Sequence, residues 1–566
     1  MNQCAINLNS IGKNVCNAGI VSCGNSVDCI VDTSSVFFGC RFPQVENGIF
    51  MGENMLQVQN LTITQKRDNH ILLENLSFCL NDGEKAALIG EEGNGKSTVL
   101  KWIYDPSLVE AYADAEGTVK TDSLLGFLPQ ELSKDDGSQP IADWMEAACD
   151  LSRLPIRNVI RVLCELGLEH DLLYETRTMK TLSGGERIKL QLASLLLREC
   201  DVLLLDEPSN DLDLAAITWL ETFLQHTEKT VLYVSHDETL LERTANQLIH
   251  IELVRRKQIP RVTVARMPYR QYIDDRERRF SHQRQIADFE HSEFRKKKER
   301  YLSVYQAVEH AQNNVSRSDP GTGRLLKKKM HTVQALGKRL EKEYEQLTER
   351  PEAEWAILPK FEEGVFVKNG KTILDDRRDQ LIADGKILAR KMHLRIVGPE
   401  RIAIIGQNGC GKTTLLKAIA KELEGRKDLS VGYMPQNYED ALFAGYSPVE
   451  FLAPNGDKES VTRARLYLGS MKYTTEEMEH PVSDLSGGQR AKILLLRMIL
   501  DRNNVLLLDE PTRNFSPLSA PAVREMLRSF QGAILAVTHD RKFLQEVATS
   551  VYELQETGLK LISRKE

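Results

Sequence analysis

Two lysines close matching glycine-rich stretches, "GEEGNGKST" beginning at Gly90 and "GQNGCGKTT" beginning at Gly406. Gly90, Gly93 and Gly95, and likewise Gly406, Gly409 and Gly411, let a backbone fold closely around an anion. The helical pattern after each stretch would point its unpaired N–H groups at that anion. Lys96 and Lys412 would reach the outer phosphates of a nucleotide, with Thr98 and Thr414 lining the same cradle. The hydroxyls of Ser97 and Thr413 suit Mg2+.

Carboxylates follow in pairs. "LLLDEP" begins at Leu203 and again at Leu506, each time ending an apolar run. Asp206 and Asp509 would hold the magnesium through water, and Glu207 and Glu510 are placed to polarise an attacking water. His236 and His539, each 29 residues beyond its glutamate, would hold the terminal phosphate and that water from the next strand. Gln130 and Gln436, each after a proline, would complete the shell around metal and water. "LSGGE" and "LSGGQ" place Ser183 with Gly185, and Ser486 with Gly488, at helix N-termini, where anions are favoured. Within one domain such a motif lies too far from its own glycine loop. It works when a second domain presents it across an interface.

The elements that position these residues also occur twice. Ser183 to Asp206 and Ser486 to Asp509 both span 23 residues, so the back halves run in register. Lys96 to Gln130 spans 34 and Lys412 to Gln436 only 24, a difference expected to fall in surface loops. Apolar runs such as "KAALIG", "RIAIIG", "DVLLLD" and "NVLLLD" read as buried parallel strands. "ERIKLQLASLLLR" and "QRAKILLLRMIL" read as helices. The fold expected is α/β, with phosphate chemistry at the carboxyl ends of the strands. Domains are expected at 55–266 and 351–566.

Between them, over 267–350, the pattern becomes helical. Tyr301, Val304, Val308, Ala311 and Val315, then Val333, Leu336, Leu340, Tyr344 and Leu347, recur at three- and four-residue steps around a turn at Ser316–Arg324. This predicts an antiparallel hairpin with a narrow apolar seam. Residues 266–350 hold 20 Lys and Arg against 13 Asp and Glu, although the whole chain has a net charge of -7. Arg295, Lys296, Lys297, Lys298 and Arg300 cluster on one arm, while Arg324, Lys327, Lys328 and Lys329 flank the turn. Such a stripe suits RNA phosphates with strongly salt-dependent binding, whereas evenly mixed charge would mark a merely solvated face.

Composition sets outer limits. The 566 residues, 41% apolar and 27% charged, are those of a globular chain with several cores. No apolar run approaches the ~20 residues that span a bilayer. Cys79, Cys149, Cys164, Cys200 and Cys410 are scattered without a CxxC pair, as in a reduced cytoplasmic protein. Five more cysteines fall in residues 1–54, which match no zinc pattern and are expected to form a disordered extension.

The order of glycine loop, proline-linked glutamine, LSGG, Asp-Glu and histidine, repeated over most of Leu56 to Arg564, resembles the ABC ATPases. The resemblance implies ATP and Mg2+ as cofactors and two cassettes clasping two ATP molecules head to tail. One site would join Lys96, Asp206 and Glu207 to Ser486 and Gly488. The other would join Lys412, Asp509 and Glu510 to Ser183 and Gly185. It also implies that Asp213 meets the Lys412 site and that Ser516, its counterpart, meets the Lys96 site, so the two sites are expected to be unequal. Twin cassettes with a basic hairpin and no membrane domain resemble the ABC-F branch in particular. That implies a cytoplasmic partner of the ribosome, touching rRNA and peptidyl-site tRNA through 267–350, which modulates translation or protects against antibiotics. A transporter ATPase serving a separate permease is the alternative. The sequence departs from the wider family in two places. Leu61–Leu73 carries no aromatic to stack on adenine, and Asp375–Lys391 reads as an insert before the second glycine loop.

Overall fold

The structure, a computed structural model, describes residues 54–67, 69–254, 259–314, 320–351, 361, 364–383, 385–442 and 445–564. The expected extension lies outside the described residues up to position 53. Each α/β half is built on a six-stranded sheet. In the first, the strand order is Leu125–Leu128, Val202–Asp206, Thr230–Val234, Lys85–Ile89, Gln247–Val254, Ile259–Ala265. All neighbours are parallel except the last pair. The second half repeats this order with Val431–Met434, Val505–Asp509, Ala533–Val537, Arg401–Ile405, Ser550–Gln555 and Gly558–Arg564. The central strands Lys85–Ile89, Val202–Asp206 and Thr230–Val234, with Val505–Asp509 and Ala533–Val537 in the second half, are buried along their whole length because both faces are covered. Leu88, Leu204 and Leu232 face one core with Leu56 and Ile63, while Ala87, Leu203 and Leu205 face another with Leu163 and Leu190.

The strand ends fall where the chemistry needs them. Val202–Asp206 and Val505–Asp509 stop at their aspartates, and Glu207 and Glu510 follow in the left-handed region at φ 48° and 51°. For a residue with a side chain that conformation costs about 1 kcal/mol, strain of a kind that collects at functional sites.

The 34- and 24-residue spacings do not differ by a surface loop. In the first half the additional residues include the strand Ala113–Lys120, which makes a three-stranded sheet with Asn54–Gln65 and Ile71–Asn81. The described part of the second half has only the pair Thr372–Ala383 and Lys386–Val397. Nor is Asp375–Lys391 an insert. Leu388 precedes Gly411 by 23 residues as Leu72 precedes Gly95, so the two hairpins are counterparts. A Cβ added at Gly411 would lie 2.8 Å from Leu388 and 3.0 Å from Leu381, so this hairpin roofs the second glycine loop.

The halves are joined by helices Tyr269–Asn313 and Pro320–Glu345. The first is roughly 67 Å long at 1.5 Å per residue. They run antiparallel, with Gln283 bonded to the carbonyl of Glu349, Glu290 to the N–H of Thr348, and Tyr301 against Gly337. The seam differs from expectation in detail. Val304 and Leu336 are exposed, and Tyr305 and Gly337 turn inward instead, because 3.6-residue periodicity drifts from a strict 3.5-residue repeat. Pro320 to Arg324, expected in the turn, open the second helix, where proline is tolerated because its missing N–H has no intrahelical role.

Candidate functional site

Both glycine loops close onto a helix whose cap is left-handed, Gly95 at φ 82° and Gly411 at φ 101°. A Cβ at Gly90 would lie 2.2 Å from the carbonyl oxygen of Ile251, so only glycine fits. Lys96 Nζ donates to the carbonyls of Gly90 and Glu91 at 2.9 and 2.8 Å. Lys412 does the same with Gly406 and Gln407 at 2.8 and 2.9 Å. Each ammonium is thus held inside its loop. The Ser97 hydroxyl donates to Asp206 at 2.8 Å, and Thr413 hydrogen-bonds Asp509 equivalently. Thr98 follows in the first helical turn, and Thr414 lines the cavity described below.

Around Lys96 the catalytic candidates bond to one another. Glu207 Oε1 lies 3.1 Å from His236 Nε2, and Glu207 Oε2 accepts from Gln130 at 3.2 Å and from Asn210. Burial pushes the Glu207 carboxyl up, but His236, Lys96 and Asn210 outweigh it and hold it down at about 2. His236 Nδ1 donates to the Phe515 carbonyl of the second half at 2.9 Å. Burial lifts Asp206 to about 6, against the Ser97 bond.

Around Lys412 the same residue types are left apart. His539 Nε2 is 3.8 Å from Glu510 Oε1, and Glu510 accepts only the His539 backbone N–H, at 3.3 Å, among the bonds described. Burial, reinforced by Asp509, pushes Glu510 up to about 7. Burial and then Lys412 push His539 down to about 4. Asp509 Oδ2 and His539 Nδ1 are buried without a hydrogen-bond partner among the described residues. A bare carboxylate oxygen beside a threonine hydroxyl fits a hard divalent cation or its water, and a bare imidazole nitrogen fits a phosphate oxygen. They face a cavity of about 740 Å³, lined also by Lys412, Thr413, Gln436 and Glu510 and, from the first half, by Asp211, His236 and Glu238.

The interface brings the expected partners only partly together. Gly488 meets the Lys96 loop, its N–H donating to Glu92 at 2.5 Å. Asp213 acts electrostatically on Lys412 and His539 while its side chain caps helix Leu214–His226. Ser516, however, turns into its own loop toward Ser519, and the contact expected of it passes to the neighbouring Phe515 carbonyl. Ser183 and Ser486 cap their helices through reciprocal boxes with Glu186 and Gln489. Gly184 and Gly185 rest against Asp211 and Ala216 of their own half.

Several contacts were missed by single motifs. Asn408 donates to the Asp211 carbonyl at 2.5 Å, and Arg513 pairs with the Asp211 carboxylate at 2.7 Å. Arg524 grips Glu238 through two nitrogens at 2.7 and 3.1 Å, and Arg541 bonds Glu221 at 2.5 Å. Positions 221 and 524, and 238 and 541, are counterparts at the spacing of 303, carrying glutamate in the first half and arginine in the second. Matched position by position, the two copies would have shown this charge inversion. It pairs first half with second and sets like charges against any pairing of identical halves.

Crossed contacts between one glycine loop and the other half's LSGG helix and Asp-Glu loop define paired ATP-binding cassettes. The ABC transporter family model matches residues 73–210 and 389–513. The probable ATP-binding protein YheS of Escherichia coli K12 is 28% identical over 521 residues, covering 86% of this chain and 77% of that protein. Human ATP-binding cassette sub-family F member 3 is 27% identical over 529 residues, covering 87% and 70%. The tylosin resistance ATP-binding protein TlrC of Streptomyces fradiae is 29% identical over 561 residues, covering 87% and 96%. The archaeal recycling factor aABCE1, solved with the ribosomal stalk protein aP1, shares the fold at a TM-score of 0.53 and 18% identity, over 88% of this chain and 89% of that one. The two cassette matches and these relatives, one of them named for sub-family F, support an ABC-F family ATPase. Among the described residues, no helix is long and apolar enough to cross a membrane.

Proposed function

We propose that this chain hydrolyses ATP between its cassettes and, in the ATP-bound closed state, grips the ribosome through the 267–350 hairpin. Ser97, Asp206 and Gln130 at one site, and Thr413, Asp509 and Gln436 at the other, would hold Mg2+. When bound, that ion neutralises phosphate charge. Glu207 and Glu510 would take a proton from the attacking water, while His236 and His539 hold the terminal phosphate oxygen and orient the water. Lys96 and Lys412 would turn from their own loop carbonyls to the phosphates, while Ser183 and Gly185 would close on the Lys412 nucleotide from the opposite cassette and Ser486 on the Lys96 one.

One observation carries the coupling to RNA, namely that the hairpin base is fastened to both cassettes. Arg276 pairs with buried Glu252, and Tyr272 bonds His250 at 2.8 Å, both in the first cassette. Tyr269 donates to the Pro517 carbonyl, in the loop after Glu510, at 3.2 Å. A shift of that loop on nucleotide binding or release would therefore be levered along the long helix to the basic tip. The relative named for tylosin resistance supports protection against a ribosome-directed drug as the biological outcome.

The test is sedimentation with 70S ribosomes. Glu207→Gln combined with Glu510→Gln, in ATP, is expected to pellet with ribosomes and to stay after washing, whereas absence from the pellet overturns the reading. Replacing Arg324, Lys327, Lys328 and Lys329 with glutamine is expected to lower the salt dependence of binding by a log–log slope of roughly 3.

A further inference from the structure

The two glycine loops differ at the two residues that follow their first glycine. Glu91 and Glu92 stand in the first where Gln407 and Asn408 stand in the second. Carboxylates in a phosphate cradle oppose its charge logic, so their contacts matter. Asn408 acts as a neutral donor, to the Asp211 carbonyl. Glu92 instead accepts the Gly488 N–H at 2.5 Å, from the opposite cassette.

Gly488 is the second residue of helix Gly487–Leu500, so its N–H has no acceptor within the helix. The next N–H, of Gln489, is already taken by Ser486. A Cβ built on Gly487 would lie 3.2 Å from Glu92 Oε1, so the carboxylate lies across both glycines. Beside it, Glu91 Oε1 lies 3.4 Å from Lys492 Nζ, with both side chains mostly buried. The counterpart of Lys492 behaves differently, since Lys189 lies over the Trp219 ring of its own cassette at 4.8 Å. Both glycine pairs pack against the loop after the Asp-Glu pair of their own cassette, Gly184 on Asp211 and Gly488 on Asn514, but among the described residues the second helix alone also receives a carboxylate from the opposite glycine loop.

We propose that Glu92 is the resident anion of the Lys96 site. It takes the Gly488 N–H that would otherwise meet a terminal phosphate, so the Lys96 loop selects a nucleoside diphosphate and triphosphate sensing falls to the Lys412 site. A third phosphate would bring its charge within a few ångströms of Glu92, which disfavours it roughly tenfold. The inference rests on both loops holding nucleotide.

Each site is isolated in the full chain, the Lys96 site by Lys412→Ala and the Lys412 site by Lys96→Ala. Fluorescent ADP and a non-hydrolysable ATP analogue are titrated with Mg2+ into each. The isolated Lys96 site is expected to bind the diphosphate about tenfold more tightly than the triphosphate, and Glu92→Asn to abolish that preference. Asn408→Glu in the Lys96→Ala background is expected to create it, which decides the matter even where Glu92→Asn folds poorly. Equal affinities at the native Lys96 site overturn the proposal, as does binding of neither nucleotide there while the Lys412 site still binds. Loss of binding in both backgrounds overturns the nucleotide reading together with it.

Discussion

The Lys96 and Lys412 sites carry the same residue types in the same order and hold them in different electrostatic states. At the first, Glu207 is bonded to His236, Gln130 and Asn210 and held ionised. At the second, Glu510 is buried 3.8 Å from His539, pushed up to about 7, and flanks a cavity with orphaned polar atoms. A carboxylate that titrates near neutral pH is the better general base, because its proton affinity matches the task. The difference teaches that a complete motif set does not make two equal sites. What surrounds each glutamate decides its chemistry.

The largest expected effect lies in the wall of the Lys412 cavity. Arg524 and Glu238 are 3% and 9% exposed, so Glu238→Ala leaves a nearly buried guanidinium short of its partner. A loss of about 3 kcal/mol is expected, at the low end of such cases because Glu546 still pairs with Arg524. Denaturant unfolding measures it, and a Glu238→Leu, Arg524→Met pair is expected to recover most of the loss. Unchanged stability in Glu238→Ala would show that this wall does not depend on the pair.

Next come the glutamates themselves. Glu510→Gln is expected to lower phosphate release by about 100-fold, the usual worth of a general base, and Glu207→Gln by less than about fivefold. Equal losses would erase the comparison.

The protonation states make a finer prediction for protein without nucleotide or magnesium. Folded Glu510 keeps its proton to about pH 7, whereas the unfolded chain releases it near 4.5. The folded form therefore binds more protons in that window, and this group's contribution to stability falls as pH rises through it. Glu207 runs the other way. Held at about 2, its contribution is complete above about 4.5 and drains away as pH falls toward 2. Melting temperatures against pH should fall less steeply between 4.5 and 7 in Glu510→Gln than in the parent, with Asp206 supplying part of the remaining fall, and should keep the parent's slope there in Glu207→Gln.

The smallest effect concerns Arg513, whose pairing with Asp211 is 30% and 50% exposed. Arg513→Ala is expected to cost about 0.5 kcal/mol, and less in high salt. A larger loss would mean that the loop after Glu510, rather than the walls of the Lys412 site, holds the cassettes in register.

Much was legible from single residues. The glycine loops, the LSGG caps and the strand-ending aspartates are local devices. Their spacing is set by backbone geometry, so Gly95, Ser183 and Asp206 could be read without a partner in view. The hairpin was legible in outline for the same reason, though Val304 and Leu336 faced outward once helical drift was allowed. Asp375–Lys391 looked like an insert because a hairpin with alternating burial carries only a weak signal by itself. Its role became plain only when Leu381 and Leu388 were seen on Gly411.

The sequence by itself determined that there are two phosphate loops, two Asp-Glu strand ends and a basic hairpin between them, because each follows from short-range sterics and periodicity. Only the tertiary structure decided that Glu92 reaches Gly488, that Phe515 rather than Ser516 meets His236, and that Glu207 is pushed down and Glu510 up from the ordinary carboxylate range. The first two outcomes depend on residues hundreds of positions apart, and the last on burial that multiplies the effect of each nearby charge within a cassette. Neither quantity exists until the chain is packed.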